Sequence, residues 1–393
     1  METKPTYDVI LAGGGAAGLS LLYHLLQSDW KDRRILLIDR ERKKQNDRTW
    51  CFWEVGCSPF EKIVHQQWQH MYFRSSDFSE LLDLQPYTYK MIRGIDFYQY
   101  VYRTLADFPN VTVLNEEVQE LRESEGLVQV VTERDTYQGS WVFSSLRDED
   151  EARQANGRQY LLQHFKGWEI RTYQPHFNPQ EATLMDFRID QQGDCRFMYV
   201  LPTDEQTALV EYTVFSAQLL DSEKYEQELQ RYMSEYLGLT DSDYQVMHGE
   251  FGVIPMTDMT YPSEQGKRII RIGTAGGATK ASTGYTFQRI QRDSQQLVKQ
   301  LTTTGKISAD RFSNKRFHLF DSVLLNVMAR NFYPAGKAFA DLFKKNPPAR
   351  VLRFLDEDTH LGEDFAIMNS VPKMPFIKGT WFALQSKIMA ASY

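Results

Sequence analysis

The chain has little sulfur that could carry structure or metal. Cys51, Cys57 and Cys195 are its only cysteines in 393 residues. They are too few and too scattered for a disulfide framework or a Cys-x-x-Cys metal site, and fit reduced thiols in the cytoplasm. His65, His70, His164, His176, His248, His318 and His360 are isolated from one another, so no metal centre is expected. There is no uninterrupted apolar run of about 20 residues to span a bilayer. Met1-Glu2-Thr3-Lys4-Pro5 offers no signal-peptide core, and the apolar run that starts at Tyr7 is broken by glycines. A Gly-x-Ser-x-Gly elbow and a Gly-Lys-Ser/Thr phosphate loop are both missing, which removes serine hydrolases and P-loop NTPases. The net charge of −7 argues against a general nucleic-acid binder. No internal repeat or low-complexity segment occurs.

What is present begins at residue 7. Tyr7-Asp8-Val9-Ile10-Leu11-Ala12 reads as a buried strand and Gly13-Gly14-Gly15-Ala16-Ala17-Gly18 as a glycine turn. The run Leu19–Leu26 reads as a helix, and Ile35-Leu36-Leu37-Ile38 as a second strand ending in Asp39. Strand, Gly-x-Gly-x-x-Gly, helix, strand, acid is the order that cradles a dinucleotide. Gly13 permits the sharp bend, Gly15 admits a pyrophosphate, and Gly18 lets helix and strand pack closely. The helix N-terminus, at Ala16 and Ala17, presents free N–H groups to phosphate. Asp39 falls about 20 residues past Gly18, where an acid binds ribose and favours FAD or NAD over NADP.

The remaining pattern divides the chain into four parts. Residues 1–150 form the first part of a nucleotide-binding domain, with a helix from Ile95 to Phe108 and a small meander across Val111–Leu114, Val118–Arg122, Leu127–Thr132 and Trp141–Ser144. Residues 145–158 are polar and read as loop. Residues 151–265 form a largely antiparallel sheet domain. Its strands are Thr183–Ile189, Arg196–Leu201, Ala208–Phe215 and, less clearly patterned, Tyr244–Ile254, with a helix from Ser222 to Leu237. Residues 266–305 return to the nucleotide domain: the strand Ile269–Ile272, a second glycine-rich turn containing Gly273, Gly276 and Gly277, then a helix from Thr286 to Leu301. This second turn favours FAD. Residues 306–393 are helical, broken at Asn346-Pro347-Pro348 and near Pro372 and Pro375. The fold class is therefore α/β, a Rossmann-type domain interleaved with an antiparallel sheet and followed by a helical region.

Glu211 is the acid of interest. Period two puts Leu209, Glu211, Thr213 and Phe215 on one strand face and Val210, Tyr212 and Val214 on the other. The carboxyl has apolar neighbours on either face. Burial raises a carboxyl pKa and makes it a proton donor near neutrality; an edge-strand acid facing water or an arginine is an equal alternative from spacing alone. Asp186 is a second such acid, with Arg188 on the same face as a ready partner. Arg48-Thr49-Trp50-Cys51-Phe52-Trp53 offers an arginine for cofactor phosphates and indoles for a pocket wall, or else packing between domains. Aromatic content of 13% suits a large apolar pocket or an aromatic core equally well.

Several of these motifs coincide in one family. The chain resembles the FAD-dependent lycopene cyclases, most like the bacterial lycopene β-cyclases, over nearly its whole length. The resemblance rests on Gly13–Gly18, Arg48-Thr49-Trp50-Cys51-Phe52-Trp53, Met185-Asp186, Tyr199-Val200-Leu201-Pro202 and Val210-Glu211-Tyr212-Thr213. It rests further on Gly252-Val253-Ile254-Pro255-Met256, on Gly273 to Asp293 with Ser282-Thr283-Gly284-Tyr285, and on Asn346-Pro347-Pro348-Ala349-Arg350-Val351-Leu352-Arg353-Phe354-Leu355. It implies a p-hydroxybenzoate hydroxylase-like fold. It also implies a redox-neutral, acid-catalysed closure of the acyclic ends of lycopene, giving γ-carotene and then β-carotene. Glu211 falls at the family's essential glutamate. The resemblance further implies FAD acting in its reduced form, with NAD(P)H as reductant. By resemblance, Arg48, Thr283 and Gly284 join the cofactor site, and Trp50, Phe52, Asp186, Tyr199 and Tyr285 the substrate pocket.

Three positions depart from related patterns. Thr274 replaces the acid found in many flavoproteins, Tyr212 stands where plant cyclases often have a second glutamate, and Arg48 replaces a histidine. The alternatives are a monooxygenase or prenyl reductase of the same superfamily, or a flavin-binding carotenoid carrier. A long hydrocarbon substrate must come from a membrane, so peripheral attachment is expected. Lys344, Lys345, Arg350 and Arg353 beside Phe339, Leu342 and Phe343 are the candidate contact, with a solvated helix face as the alternative.

Overall fold

The computed structural model describes residues 5–147, 158–259, 267–307 and 314–390. Most of the expected loop at 145–158, namely 148–157, lies outside the described residues. The first sheet has a parallel core in the order Val111–Asn115, Ile35–Asp39, Thr6–Ala12, Thr136–Ser144, Ile269–Arg271. Val9, Ile10, Leu11, Leu36 and Leu37 have no exposure at all. This is why these strands read as unbroken apolar runs instead of alternating: both faces are covered. The long strand Thr136–Ser144 also pairs antiparallel with Leu127–Thr132, which pairs with Val118–Ser124, giving the expected meander. The helices Ala16–Leu26 and Phe287–Thr303 are tied by a buried polar clasp, in which Gln291 meets Ser20 Oγ at 2.8 Å and His24 Nε2 at 3.2 Å.

The second sheet has seven strands, in the order Tyr244–Thr257, Tyr160–Thr172, Thr207–Ser216, Cys195–Pro202, Glu181–Asp186, His70–Arg74, Ser79–Asp83. All neighbours pair antiparallel except Glu181–Asp186 with His70–Arg74, which run parallel. A third, small sheet holds Thr49–Glu54, Thr88–Arg93 and Gln66–Trp68. The strands between residues 49 and 93, and Tyr160–Thr172, have no counterpart among the sequence expectations. Tyr160–Thr172 carries buried polar groups that mask its alternation. His164, for example, is fully buried between Ser216 Oγ and the Tyr225 hydroxyl.

The second sheet has two unlike faces. Trp168, Met198, Val210, Tyr212 and Val214 pack under the helix Ser222–Tyr232 through Tyr225, Leu229 and Tyr232. That helix continues to Leu237 as one wider π turn and stops at Gly238, whose φ is 67°. The opposite face carries Phe197, Tyr199, Leu201 and Leu209 and meets the C-terminal helices through Phe339, Leu342 and Phe343. Those three side chains are thus core, which corrects the expected membrane contact. Lys345 is engaged by Asp341 and the Ser370 carbonyl, Arg350 by Asn346 and Arg353 by Glu363. The helices are Lys315–Ala329, Ala335–Lys345, Pro348–Leu355, Leu361–Met368 and Lys373–Ala390, with Pro348 opening its helix where no N–H is needed.

Candidate active site

The glycine turn has the geometry a phosphate cradle needs. Gly13 has φ of 108°, which side-chain-bearing residues rarely adopt, and its N–H donates to the Ile38 carbonyl at 2.8 Å. A Cβ on Gly18 would lie 1.9 Å from the Gly13 carbonyl oxygen, so helix and strand meet there without room for a methyl. Gly15 differs: among the described residues, a Cβ there would meet no atom within 4 Å, and the position opens to the cavity. Asp39 Oδ2 accepts the Gly14 N–H at 2.6 Å and Oδ1 accepts the Glu41 N–H at 2.8 Å. The second glycine turn packs against the first, since a Cβ on Gly273 would come 2.7 Å from Ala17 Cβ.

A cavity of about 400 Å³ runs from Gly15 and Ala16, past Thr274, Thr283, Gly284 and Arg48, to Tyr199, Tyr285 and Glu211. The glycine turn and the acid, nearly 200 positions apart in sequence, therefore open into one space. Trp50 also lines it, stacked on Phe287 at 5.5 Å. Arg48 donates to the Phe251 carbonyl at 3.4 Å. Gly13, Ala17, Gly18, Asp39, Gly273, Gly276 and Gly277 belong to the two turns and their flanks and do not themselves line it. Two more residues named from the sequence stand apart. Phe52 is buried against Phe287 at 4.9 Å in the core that packs against the first sheet. Asp186 is fully buried away from the cavity, where it accepts hydrogen bonds from the backbone N–H and the guanidinium of Arg188 and from the Tyr232 hydroxyl at 2.8 Å.

The strand Thr207–Ser216 delivers Glu211 to the cavity by its alternation. Leu209 and Glu211 face in, while Val210, Tyr212 and Val214 face the helix. Tyr212 receives a hydrogen bond from Arg196 at 3.2 Å and takes no part in the cavity. Glu211 Oε1 accepts from Thr213 at 2.9 Å, and no cation pairs with Glu211 among the described residues. Burial foremost, then the charge of Glu250, pushes the Glu211 carboxyl well above the usual carboxylate range. Around it stand phenols and a thiol. Tyr89 and Tyr285 share a hydrogen bond at 3.1 Å, and Trp53 meets Tyr285 edge-on at 4.5 Å. Burial pushes Tyr285 up to about 12, and pushes Tyr89, Tyr199 and Cys51 upward as well. The wall around Glu211 is thus aromatic and uncharged near neutrality.

Sequence reasoning missed Cys51 and Tyr89, both on the cavity, and Glu250 beside it. Cys51 and Tyr89 lie on paired strands of the small sheet, where short strands leave little periodic signal. Glu250 sits in His248-Gly249-Glu250-Phe251-Gly252, whose two glycines blur the alternation.

The known proteins fit this geometry. A family model described as lycopene cyclase protein matches residues 8–380. The chain belongs to the lycopene cyclase family. None of the curated proteins matches it in sequence. Among solved structures, this family member is similar to a geranylgeranyl bacteriochlorophyll reductase-like protein from Thermoplasma acidophilum (TM-score 0.66, 12% identity, 96% of this chain and 99% of the other). It is similar to a p-nitrophenol 4-monooxygenase from Pseudomonas putida (TM-score 0.59, 15%, 95% and 98%) and to a halogenase variant in complex with FAD (TM-score 0.58, 11%, 99% and 92%). At these identities the likeness is one of fold. It is the expected mixed α/β, p-hydroxybenzoate hydroxylase-like arrangement with a helical C-terminal region.

Proposed function

We propose that this family member is a lycopene β-cyclase that closes the acyclic ends of lycopene by proton transfer from Glu211, without net oxidation or reduction. The observation that carries this reading is a half-buried carboxyl, with no paired cation among the described residues, at the aromatic end of a cavity whose other end is a dinucleotide turn. Glu211 gives its proton to C2 of the terminal double bond and leaves a cation at C1. The C5=C6 bond attacks, the C1–C6 bond forms, and C6 loses a proton to leave the β-ring. The count of electrons and protons is unchanged. A cation in such a path needs a dry cavity and π-density nearby, which Tyr89, Tyr199 and Tyr285 supply.

The residues present fit FAD. Gly15 is open where a pyrophosphate would lie, and two buried polar atoms of cavity-lining residues, Thr283 Oγ1 and Gln163 Oε1, have no hydrogen-bond partner among the described residues. Gly13, Gly14, Gly15, Ala16 and Asp39 would hold the nucleotide half, with Arg48, Thr274, Thr283 and Gly284 toward the flavin; Ala17, Gly18, Gly273, Gly276 and Gly277 would shape the two turns. A bound reduced flavin, kept reduced by NAD(P)H, supplies electron density that stabilises positive charge.

An apolar substrate also requires contact with lipid. Among the described residues no helix is long and apolar enough to cross a membrane. Leu361, Phe365 and Met368 on one helix, and Met374, Ile377, Trp381 and Leu384 on the last, form exposed apolar stripes. The last helix also carries lysines and no acidic residue. The stripe on the last helix suits peripheral docking to a bilayer. Glutamate at both Ile377 and Trp381 should abolish sedimentation with anionic vesicles; unchanged sedimentation would remove the docking assignment.

The deciding test of the reaction is expression in cells that accumulate lycopene. Wild type should yield β-carotene. Glu211→Gln, still retaining FAD, should yield lycopene alone, a loss of about 10²-fold or more in rate. An unchanged pigment profile in that variant would sink the assignment.

A further inference from the structure

Glu211 has a partner that its own strand does not reveal. In the second sheet, Tyr199 lies opposite Glu211, Glu211 opposite Gly167, and Gly167 opposite Glu250. The two glutamates stand in one cross-strand row with a single glycine between them. Gly167 has no side chain to separate them: a Cβ there would fall 3.2 Å from Glu250 Cγ and 3.5 Å from Glu211 Cβ. Glu250 is buried, at 6% exposure. Its Oε2 accepts from the Thr49 hydroxyl at 2.8 Å, whereas its Oε1 is buried with no hydrogen-bond partner among the described residues. A buried acceptor left unpaired is costly. A proton on the neighbouring carboxyl would satisfy it.

The two acids open to different spaces. Glu211 lines the large cavity. Glu250 lines a second cavity of about 20 Å³, with His65, His248, Glu169 and Arg93, and Thr49 and Leu209 border both. That smaller space has room for about one water molecule.

We propose that Glu250 is a positioning residue that shares one proton with Glu211 across Gly167, and so keeps Glu211 in its proton-donating form while exchanging protons through the smaller cavity. This rests on the cyclase reading above. The proton that leaves Glu211 for the substrate is matched by the one the substrate loses from C6, so the pair ends the cycle with the proton count it began with. Two carboxyls this close cannot both ionise readily, and their titration belongs to the pair. The groups around them set which acid holds the charge. Cys51, Tyr89, Tyr199 and Tyr285 face Glu211 and stay uncharged near neutrality. Burial raises Glu250 too, but the Thr49 hydroxyl, the neighbouring Glu211 carboxyl and the charges of His248 and Arg48 favour its anion. Glu169, Arg93 and His65 complete the surroundings on that side.

The test is the pH dependence of the full-length holoprotein with Glu250→Gln and, as a second neutral replacement, Glu250→Met. Losing the neighbouring charge should move the alkaline limb of the cyclisation profile down by about one pH unit. Glu250→Asp should restore it. In parallel, the protonated-carboxyl carbonyl band in the infrared should be absent in Glu211→Gln and should titrate at lower pH in Glu250→Gln than in the parent. A uniform loss of rate with the limb and the band unmoved would overturn the proposal. Should the parent make no cyclised carotene, the cyclase reading fails, and the infrared titration still decides whether the pair shares a proton.

Discussion

Asp186 and Glu211 are both acids on apolar strands of one sheet, the first fully buried and the second half-buried against the cavity, and the protein treats them in opposite ways. Asp186 meets the Arg188 guanidinium and the Tyr232 hydroxyl, so every oxygen has a donor. Glu211 meets one threonine hydroxyl and a second carboxyl. The first arrangement balances a charge and locks a strand end. The second leaves a proton available in a cavity. A carboxylate in an apolar strand is not by itself a catalytic signal; what opposes it decides.

The comparison can be broken most directly at Asp186. Asp186→Ala leaves Arg188 without its partner and should cost about 3 kcal/mol, toward the low end for a buried pair because Arg188 is partly exposed. Denaturant midpoints would read it, and the folded fraction should still cyclise lycopene. Glu211→Gln should leave the midpoint at neutral pH close to the parent. Equal destabilisation of both variants would erase the distinction.

Gly167→Ala probes the space between the two glutamates. Its methyl would lie 3.0 Å from Leu209 Cδ1, so a loss of about 1–3 kcal/mol is expected from overpacking. The rate should fall further than stability accounts for, because the carboxyl pair is pushed apart; pigment turnover and urea melts on the same samples separate the two.

The pH dependence of stability sharpens the contrast. Glu211 and Glu250 have folded pKa values above their unfolded ones. Their contribution is therefore fully present below the unfolded value and is lost as pH rises through the folded one. Glu211→Gln should consequently gain melting temperature relative to the parent as pH increases. His164, on the adjoining strand, works in the other direction. Burial lowers it to about 4, so the parent should lose stability as pH falls from the ordinary histidine value of about 6.5 toward 4. His164→Gln should flatten that acid limb.

The smallest structural effect is expected at the cofactor end. Gly15→Ala should change stability by less than about 0.5 kcal/mol, since its methyl meets no protein atom. It should nonetheless weaken FAD retention, measured by flavin absorbance after gel filtration. Gly18→Ala, whose methyl meets the Gly13 carbonyl, should lose both fold stability and flavin.

The local features were legible in the chain. The glycine turn needs only short-range spacing, and its strand, helix and acid appear where those spacings put them. Alternation in Ala208–Phe215 correctly assigned Glu211 to one face and Tyr212 to the other, because period two is a property of a single strand. Phe339, Leu342 and Phe343 were misread as surface, since an amphipathic helix shows which residues share a face and not what covers it. The pairing of His70–Arg74 with Glu181–Asp186, and the row Glu211, Gly167, Glu250, depend on register between strands far apart in sequence. Periodicity supplies a face and never a neighbour. The chain by itself determined the glycine turn and which residues share a strand face with Glu211; tertiary structure alone decided that this face lines the cavity and that a second carboxyl stands beside Glu211, because burial and cross-strand register exist only once the sheet has formed.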